Sequence, residues 1–408
     1  MQKCRICNSE LNPFMDLGNI YPSNFIKKED NSFGYKRHNL NMKVCSQCGL
    51  VQIDEHPELD SMYRQYWYKS SLNKSMVIAL QDVISSIESR LPLDKGSTVI
   101  DIGCNDGTLL SLYKNKKIFK IGIDPALNLK EEAEKQCNVF INDFFDSMKL
   151  CEYYGKVDVV TAIACFYDLP NPHQFVCGVK DLLEPEVGMF VIQYTDLLQT
   201  LKINAVDNFV HEHIELYSFK NIVDLMEQHG LRVFNVTTND VNGGSVRAYI
   251  CHKDTNFYKT SESVKNMLKE EQEFMSKFKN PFDAFKNRVD NIRDITRQFI
   301  INEVNHGKTI AVLGASTKGN TTLQYFNLNN SQIKFAAEVN KDKFGLKTIG
   351  SEIPIISEEE AFKLNPDYFL VLPWHFINGF KKIHADYLDN GGKFILPFPE
   401  FKIITNSW

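Results

Sequence analysis

The sequence has little of what marks nucleic-acid-binding, membrane or secreted proteins. Its 408 residues have a net charge of −5, and Lys and Arg form no long block, so we expect no nucleic-acid partner. No apolar run is long enough to cross a bilayer, so we expect no membrane partner either. Met1 leads directly into a cysteine pair, where a signal peptide would have an apolar stretch. We therefore expect a cytoplasmic protein, and nothing in the sequence indicates its oligomeric state.

The ten cysteines do not have the pattern of a secreted disulfide framework, since most of them stand singly along a large chain. The others form two CxxC pairs, which are Cys4 with Cys7 and Cys45 with Cys48. Four thiolates suit tetrahedral Zn(2+), and a closed shell of four sulfur ligands is structural rather than catalytic. The pairs therefore predict a zinc site that organises a segment too small to fold alone. Four free cysteines or a redox dithiol are the alternatives.

Beyond the cysteine pairs, short apolar strands alternate with helical stretches, which is the rhythm of a parallel α/β sheet. The rhythm runs from "STVIDIG" to "GMFVIQY", and it restarts at "KTIAVLGASTKGNTTL" after a charged helical stretch that Pro281 interrupts. We predict the α/β class, with two Rossmann-like domains. The expected segments are an irregular zinc-binding module with an aromatic connector over residues 1–70, a central domain over 71–255, a helical linker over 256–300 and a C-terminal domain over 301–408.

The stretch "VIDIGCNDGTLL", residues 99–110, is the sharpest motif of the central domain. It places a glycine-bearing turn between a strand and a helix, but it has neither the GK[ST] of a P-loop nor the spacing of GxGxxG. An acid at the end of the next strand can hold a ribose diol, and an Asp-Phe pair further on suits an adenine. This order resembles the class I S-adenosylmethionine-dependent methyltransferases. The resemblance implies an S-adenosylmethionine site formed by Asp101, Gly103, Asn105, Gly107, Asp124, Asp143 and Phe144.

The stretch "NFVHEHIELYS", residues 208–218, sets Glu212 between His211 and His213. The spacing is not HExxH, and side chains two residues apart diverge on a helix or a strand, so a zinc site is disfavoured. The stretch follows a strand of the central domain, beyond the carboxyl ends where ligands bind in open α/β sheets. The sequence therefore suggests a general base here, while on spacing alone a surface or packing role stays open.

"HEHIELYS", the glycine turn, the leading cysteine pairs and the C-terminal "GASTKGN" together resemble the sugar-nucleotide C-methyltransferases, such as the NDP-hexose 3-C-methyltransferases. The resemblance implies methyl transfer from S-adenosylmethionine to a carbon, usually C3, of a 4-keto-deoxysugar carried on a nucleoside diphosphate. A sugar carbon is not nucleophilic, so a base must remove the proton next to the ketone, and a donor must hold the enolate oxygen. Two alternatives stay open: O- or N-methylation of a nucleotide sugar or small metabolite, and a catalytically inactive zinc-bearing binding protein.

The resemblance implies that His213 is the base and Glu212 its neighbouring acid, and that Tyr66, Tyr68 and Asp168 also belong to the catalytic site. The implied contacts to the sugar nucleotide are Ser70, Asn73, Asn242, Gly243, Ser316, Lys318 and Glu338. Of these, Ser316 and Lys318 lie in a turn able to cradle a phosphate at a helix N-terminus. From the residues alone, the segment with Ser70 and Asn73 could equally serve aromatic packing between domains. Asn242 and Gly243 could equally form a plain hairpin turn.

The sequence departs from the family's better-known members at two places. Val210 stands where they have a tyrosine three residues before the base, and Asp168 stands where they have a histidine. A valine offers no hydrogen bond, so the resemblance does not say which group holds the enolate oxygen in this chain.

Overall fold

In the computed structural model, which describes residues 2–406, the chain forms three main sheets of four, seven and six strands. A separate pair of short strands connects two parts of the chain. Both larger sheets are mostly parallel and alternate with helices, so the predicted α/β class is confirmed. Among the described residues, no helix combines the length and the apolar character that a membrane span needs.

The N-terminal part contains β1 (Leu11–Ile20), β2 (Phe25–Lys27), β3 (His38–Cys45), β4 (Val51–Ile53) and the short helix α1 (Leu59–Tyr63). Strand β1 pairs with β3, and β3 pairs with β4, both antiparallel. The expectation of an irregular segment is therefore wrong. The register of β1 against β3 shifts after Pro13 and again between Asp16 and Asn19, where Gly18 has φ +96°. These bulges place Pro, Gly and Asn inside a strand and hide its alternation from a sequence reading.

The central part contains a seven-stranded sheet with the order β11-β12-β9-β8-β5-β6-β7. Its strands are β5 (Thr98–Ile102), β6 (Phe119–Ile123), β7 (Val139–Ile141), β8 (Val159–Ile163), β9 (Met189–Thr195), β11 (Leu231–Asn239) and β12 (Ser245–His252), and the short β10 (Glu215–Leu216) lies outside it. Strands β5 to β9 are parallel, so their carboxyl ends meet at one edge. The helices are α2 (Lys74–Arg90), α3 (Thr108–Ser111), α4 (Lys130–Glu134), α5 (Ser147–Tyr154), α6 (Pro172–Leu182), α7 (Leu197–Lys202) and α8 (Phe219–Gln228).

Two helices, α9 (Glu262–Ser276) and α10 (Pro281–Asn305), lead into the C-terminal part. The break between them is at Asn280, whose side chain caps α10. The sheet has the order β16-β14-β13-β17-β18-β19, and its last pair is antiparallel. The strands are β13 (Ile310–Leu313), β14 (Ala336–Glu338), β15 (Leu346–Thr348), β16 (Ile355–Ser357), β17 (Tyr368–Val371), β18 (Lys393–Leu396) and β19 (Lys402–Ile404). The helices are α11 (Thr317–Tyr325), α12 (Glu358–Lys363), α13 (Ile377–Ile383) and α14 (Ala385–Asp389).

Strands cross between the three parts. Residues 208–214 are called the HEH stretch below. Strand β10, which directly follows them, pairs with β4 of the N-terminal sheet, and β2 pairs with β15 of the C-terminal part. One hydrophobic cluster joins residues of β1, β3, α7, α10 and the C-terminal sheet. The HEH stretch is thereby held between the central sheet and the start of α11. The segment boundaries 1–70, 71–255, 256–300 and 301–408 stay predictions.

Candidate active site

A cavity of about 600 Å³ opens at the carboxyl ends of the parallel central strands. Two groups of its lining residues concern us. The glycine group consists of Gly103, Asn105, Asp124, Asp143 and Phe144. The histidine group consists of Tyr66, Asp168, Glu212, His213 and Lys318. The first group follows the three successive strands β5, β6 and β7 of the central domain, and the second is assembled from four separate segments.

The glycine group is a tight backbone turn held by one carboxylate. Gly103 has φ +69°, and a Cβ there would lie 2.9 Å from the Cys165 sulfur, so only glycine fits. The Asp124 carboxylate accepts hydrogen bonds from the backbone amides of Asn105 and Ala126, both at 2.8 Å. Burial raises the pKa of Asp124. The turn is therefore fixed before any ligand arrives.

Two residues predicted for the same site support the turn from behind and do not line the cavity. The buried Asp101 accepts a hydrogen bond from the Thr161 hydroxyl at 2.6 Å, and burial raises its pKa to about 7. Gly107 has φ +76°, and a Cβ there would lie 2.7 Å from the side chain of Gln136. Both residues therefore hold β5 and α3 in place, and neither is positioned to touch a ligand.

The sequence analysis missed Arg64, which sits at the edge of the glycine group. Its guanidinium lies 3.2 Å from the Asp143 carboxylate and 5.4 Å from the centre of the Phe144 ring. A cation over an aromatic ring and beside a carboxylate stiffens both. Because Arg64 lies within the aromatic connector, between Tyr63 and Tyr66, this contact also ties that segment to the central domain. Its only sequence signal was its place among aromatic residues.

His213 has the geometry of a general base. Its Nδ1 donates a hydrogen bond to the backbone oxygen of Asn208 at 2.8 Å, and a carbonyl can only accept, so Nε2 keeps a free lone pair. Burial, and then the charge of Lys318, lower the pKa of His213 to about 3. The imidazole is therefore neutral at pH 7. The ring of Tyr167 packs against it, with the ring centres 4.4 Å apart.

Two carboxyl groups of the histidine group have buried oxygens without a partner among the described residues, Oε2 of Glu212 and Oδ1 of Asp168. Burial raises the pKa of Glu212 to about 7. Burial, and then the charges of Glu212 and Glu215, raise the pKa of Asp168 well above its usual range. Unpaired buried polar atoms are costly, and in a cavity they indicate a bound molecule or water.

Tyr66 lies between the two groups of the cavity. Burial, and then the charges of Asp168, Glu212 and Asp124, raise its pKa well above the usual range. Tyr68 and Ser70 also line the cavity, and the Ser70 amide donates to the Asn105 side chain at 3.0 Å. The aromatic connector therefore closes the cavity. Asn73 does not line it, because its side chain caps α2.

His211 points away from the cavity. Its Nε2 donates to the backbone oxygen of His38 at 3.2 Å, and the side chain is fully buried beside the N-terminal sheet. Val210 is buried and lines the cavity, where it presents only methyl groups. In this stretch, therefore, Glu212 and His213 are the polar side chains that reach the cavity.

The C-terminal residues are divided between the cavity and the protein interior. Lys318 lines the cavity, and its Nζ donates to Oδ1 of Asn208 at 2.6 Å. The Ser316 hydroxyl instead accepts from the Gly319 amide and caps α11. Glu338 forms a buried ion pair with Lys343 at 3.0 Å. Neither Ser316 nor Glu338 lines the cavity, and their contact with the sugar nucleotide stays a prediction.

The turn before β12 is divided in the same way, because one of its two predicted contacts lines the cavity and the other does not. Asn242 lines the cavity and has φ 54°, a conformation that asparagine tolerates better than most residues. The predicted contact Gly243 does not line the cavity, and a Cβ there would lie 2.9 Å from the ring of Trp374. That ring is buried and donates through Nε1 to Asp207 at 3.1 Å. Trp374 is thus a core residue.

The four cysteines of the CxxC pairs come together away from the cavity. The sulfur atoms of Cys4, Cys7, Cys45 and Cys48 all lie within 4.8 Å of one another. None of the four lines the cavity. Four thiol sulfurs around one point fit a tetrahedral zinc ion and leave no position for a substrate, so the fit is to structural zinc.

Three family models match consecutive parts of the chain. They are described as "Putative zinc binding domain" over residues 4–63, "Methyltransferase domain" over 78–236 and "C-methyltransferase C-terminal domain" over 240–399. The first match agrees with the four clustered sulfurs, and the zinc prediction is confirmed. The second match covers the glycine turn and the HEH stretch.

One curated relative spans the whole chain. The C-methyltransferase NovU of Streptomyces niveus is 30% identical over 99% of this chain and 97% of its own length. The ubiquinone biosynthesis O-methyltransferase of Coxiella burnetii is 20% identical over 46% of this chain and 85% of its own length. A SAM-dependent methyltransferase structure from Aquifex aeolicus is 18% identical, with a TM-score of 0.34 over 44% of this chain and 94% of that one. A likeness as weak as the last supports no argument about function.

Proposed function

The chain belongs to the C-methyltransferase family, and from this premise we propose that it methylates a carbon next to the ketone of a nucleotide-linked 4-keto-deoxysugar. The methylated carbon is C3, which adjoins the C4 ketone. The enzyme is an S-adenosylmethionine-dependent methyltransferase, so the reading as an inactive binding protein is set aside. S-adenosylmethionine supplies an electrophilic methyl group on its sulfonium sulfur.

The glycine group would hold the methyl donor. The turn at Gly103 leaves room for a ligand close to the backbone, because a side chain there is excluded by Cys165. The Asp124 carboxylate keeps lone pairs beyond the two that its amide partners use, so it can accept ribose hydroxyls as well. Phe144 offers a ring face for the adenine, and the Arg64 guanidinium lies 5.4 Å from the centre of that ring.

The observation that carries the proposal is the state of His213. Methyl transfer to carbon needs a base that is neutral at working pH, oriented, and open to the substrate. His213 is neutral because burial lowers its pKa to about 3, and the Asn208 oxygen fixes its Nδ1 proton. Its Nε2 is then the free acceptor in the cavity. When it takes a proton and becomes positive, an ionised Glu212 beside it stabilises that charge.

The carbon position distinguishes the proposal from O- or N-methylation. Hydroxyl and amine groups carry lone pairs and need no removal of a carbon-bound proton before transfer. The buried, neutral imidazole of His213, with its Nδ1 proton held by Asn208 and its Nε2 free, can accept that proton.

The test is a panel of 4-keto-6-deoxyhexoses linked to thymidine, cytidine, guanosine or uridine diphosphate, each incubated with enzyme and S-adenosylmethionine. Mass spectrometry should find one sugar whose mass rises by one CH₂ unit, with the increase in the hexose fragment. The exposed His306, replaced by Gln, serves as a control that should match the unaltered enzyme. If no member of the panel gains a methyl group, the substrate class is wrong.

A further inference from the structure

The cavity contains an imbalance of charge. Its lining includes the carboxyl groups of Asp124, Asp143, Asp168 and Glu212, whereas Lys318 is the only lysine or arginine among its described lining residues. Removing a proton from a carbon next to a ketone places a negative charge on the ketone oxygen. Carboxylates nearby oppose that charge, so a cation or a strong donor must face the oxygen.

Lys318 occupies a position that is unfavourable for a lysine. It lies in the first turn of the nine-residue helix α11, where the helix dipole disfavours a positive charge. Burial also lowers the pKa of Lys318, while the charges of Asp207 and Asp168 act in the opposite direction. A lysine kept in such a place, where a neutral residue would be more stable, points to a function for its amine.

One residue connects the amine to the base. The backbone oxygen of Asn208 accepts from His213 at 2.8 Å, and its side-chain Oδ1 accepts from Lys318 at 2.6 Å. The Asn208 amide nitrogen donates to the Thr200 hydroxyl at 3.0 Å, which fixes the orientation of the amide. The base and the cation are therefore set at a fixed separation across one asparagine.

We infer that Lys318 is a catalytic residue whose ammonium group holds the ketone oxygen of the substrate while His213 removes the neighbouring carbon-bound proton. The inference rests on the proposed function, and it assigns the enolate donor that Val210 cannot supply. It also gives α11 of the C-terminal part a role in the chemistry, beyond the phosphate contact that the sequence suggested for Lys318.

Every proton and electron pair of this step has a destination. The proton goes to Nε2 of His213, the C–H pair becomes the C=C bond, and the carbonyl π pair moves onto the oxygen beside Nζ of Lys318. The C=C pair then forms the bond to the incoming methyl carbon, the oxygen pair restores the ketone, and the S–CH₃ pair stays on sulfur. His213 afterwards returns its proton to water. Lys318 donates a hydrogen bond to the oxygen and transfers no proton in this step.

Replacing Lys318 by Met removes the charge and keeps the length of the stem. The readout is deuterium uptake at the substrate carbon in D₂O, with S-adenosylhomocysteine present, using the panel member that the unaltered enzyme methylates fastest. Loss of an oxyanion donor lowers rates about 10²–10³-fold, so we expect exchange and kcat to fall by that factor. The exposed Lys334, replaced by Met, is the matched control and should exchange normally.

Three further variants separate this role from others. Lys318→Arg keeps a cation and should retain more exchange than Lys318→Met. Lys318→Ala should recover part of its exchange when ethylammonium is added, which a merely structural lysine would not allow. Tyr66→Phe removes one other hydroxyl of the cavity and should lower exchange by at most about tenfold, less than Lys318→Met does. S-adenosylhomocysteine affinity and thermal unfolding show whether each variant is folded.

The outcomes are distinct. If the unaltered enzyme exchanges no carbon-bound deuterium with any panel member, the proposed function and this inference both fall. If the unaltered enzyme exchanges and folded Lys318→Met exchanges equally fast, only this inference is overturned. A raised KM with unchanged exchange at saturation would instead assign Lys318 to the diphosphate, and it would overturn the inference too. Tenfold or greater loss in Tyr66→Phe, with Lys318→Met unaffected, would transfer the role to Tyr66.

Discussion

The glycine group and the histidine group line one cavity but are built in opposite ways. In the glycine group the polar atoms already have partners, as when the Asp124 carboxylate accepts from two backbone amides. In the histidine group Glu212 and Asp168 have buried oxygens that no other described residue pairs with, and burial shifts the pKa values of Glu212, His213 and Lys318. The first arrangement binds a ligand with little reorganisation. In the second arrangement, burial makes the charged forms of the side chains unfavourable, and shifted pKa values of this kind are typical of groups that take part in a reaction.

The largest effect is expected from replacing His213 by Asn, which removes the base and keeps the histidine group close to its shape. General-base catalysis contributes about 10²–10⁴-fold, so kcat should fall by that factor. The affinity for S-adenosylmethionine, measured by isothermal titration, should not change, because His213 does not belong to the glycine group. A variant that lost donor binding and turnover together would remove the distinction between the two groups.

Replacing Asp124 by Ala should have the reverse pattern. It removes a charged acceptor from the donor site and frees the amides of Asn105 and Ala126. Hydrogen bonds to charged groups are worth about 1.5–3 kcal/mol, so the affinity for S-adenosylhomocysteine should fall roughly tenfold to a hundredfold. Deuterium exchange into the sugar at saturating S-adenosylhomocysteine should stay near normal. A large loss of exchange at saturation would mean that the two groups act as one unit.

The pH dependence tests Glu212, whose pKa burial raises to about 7. His213, with its pKa lowered to about 3, stays neutral from pH 5 to 9 and contributes no change there. Below pH 7 Glu212 is protonated, and above pH 7 it is negative and stabilises the positive His213 that forms in the reaction. We therefore expect kcat/KM to rise with pH up to about 7 and then level off.

Glu212→Gln should flatten that profile. At pH 8 the rate should fall about tenfold, because we expect the Glu212 charge to stabilise the positive His213 by an amount equal to one pKa unit. Asp101→Asn is the matched control, since burial gives Asp101 a pKa of about 7 as well but outside the cavity. If the control flattened the profile and Glu212→Gln did not, the inflection would belong to the support of the glycine turn.

The smallest effect on catalysis is expected from Ser316→Ala. The Ser316 hydroxyl accepts from the Gly319 amide at the start of α11, and loss of such a cap costs about 1 kcal/mol of unfolding free energy. Denaturant unfolding should register that loss, while KM for the sugar nucleotide stays unchanged. A KM raised more than about tenfold would instead indicate that Ser316 contacts the sugar nucleotide.

The same contrast explains how much the sequence could predict. The cysteines form two short pairs and the glycine group follows three successive strands, so the local pattern together with the family resemblance was enough to predict them. The histidine group joins the aromatic connector, the loop after β8, the HEH stretch and α11, and no local pattern relates these segments. Asn208 stood inside the quoted stretch and was passed over, because its role depends on Lys318, which follows it by 110 residues.

Other predicted contacts fall on residue types that either bind a ligand or support the local fold. Asn73 and Ser316 were predicted to bind substrate, but their side chains cap helices, which is the commoner use of Asn and Ser before a helical run. Glu338 follows a strand end as a ligand residue would, yet it pairs with Lys343. The N-terminal sheet was missed because its longest strand contains bulges. Family resemblance supplied the roles, and only the tertiary contacts distinguished lining residues from supporting ones.

The central claim is that the methyl group is attached to carbon. It is tested most directly by supplying S-adenosylmethionine with a ¹³C-labelled methyl group and recording the product by two-dimensional NMR. The account predicts long-range correlations from the labelled methyl protons to the ketone carbon and to the carbon that bears the methyl group, with no proton left on that carbon. A labelled methyl group with the chemical shift and correlations of a methoxy group would contradict the account.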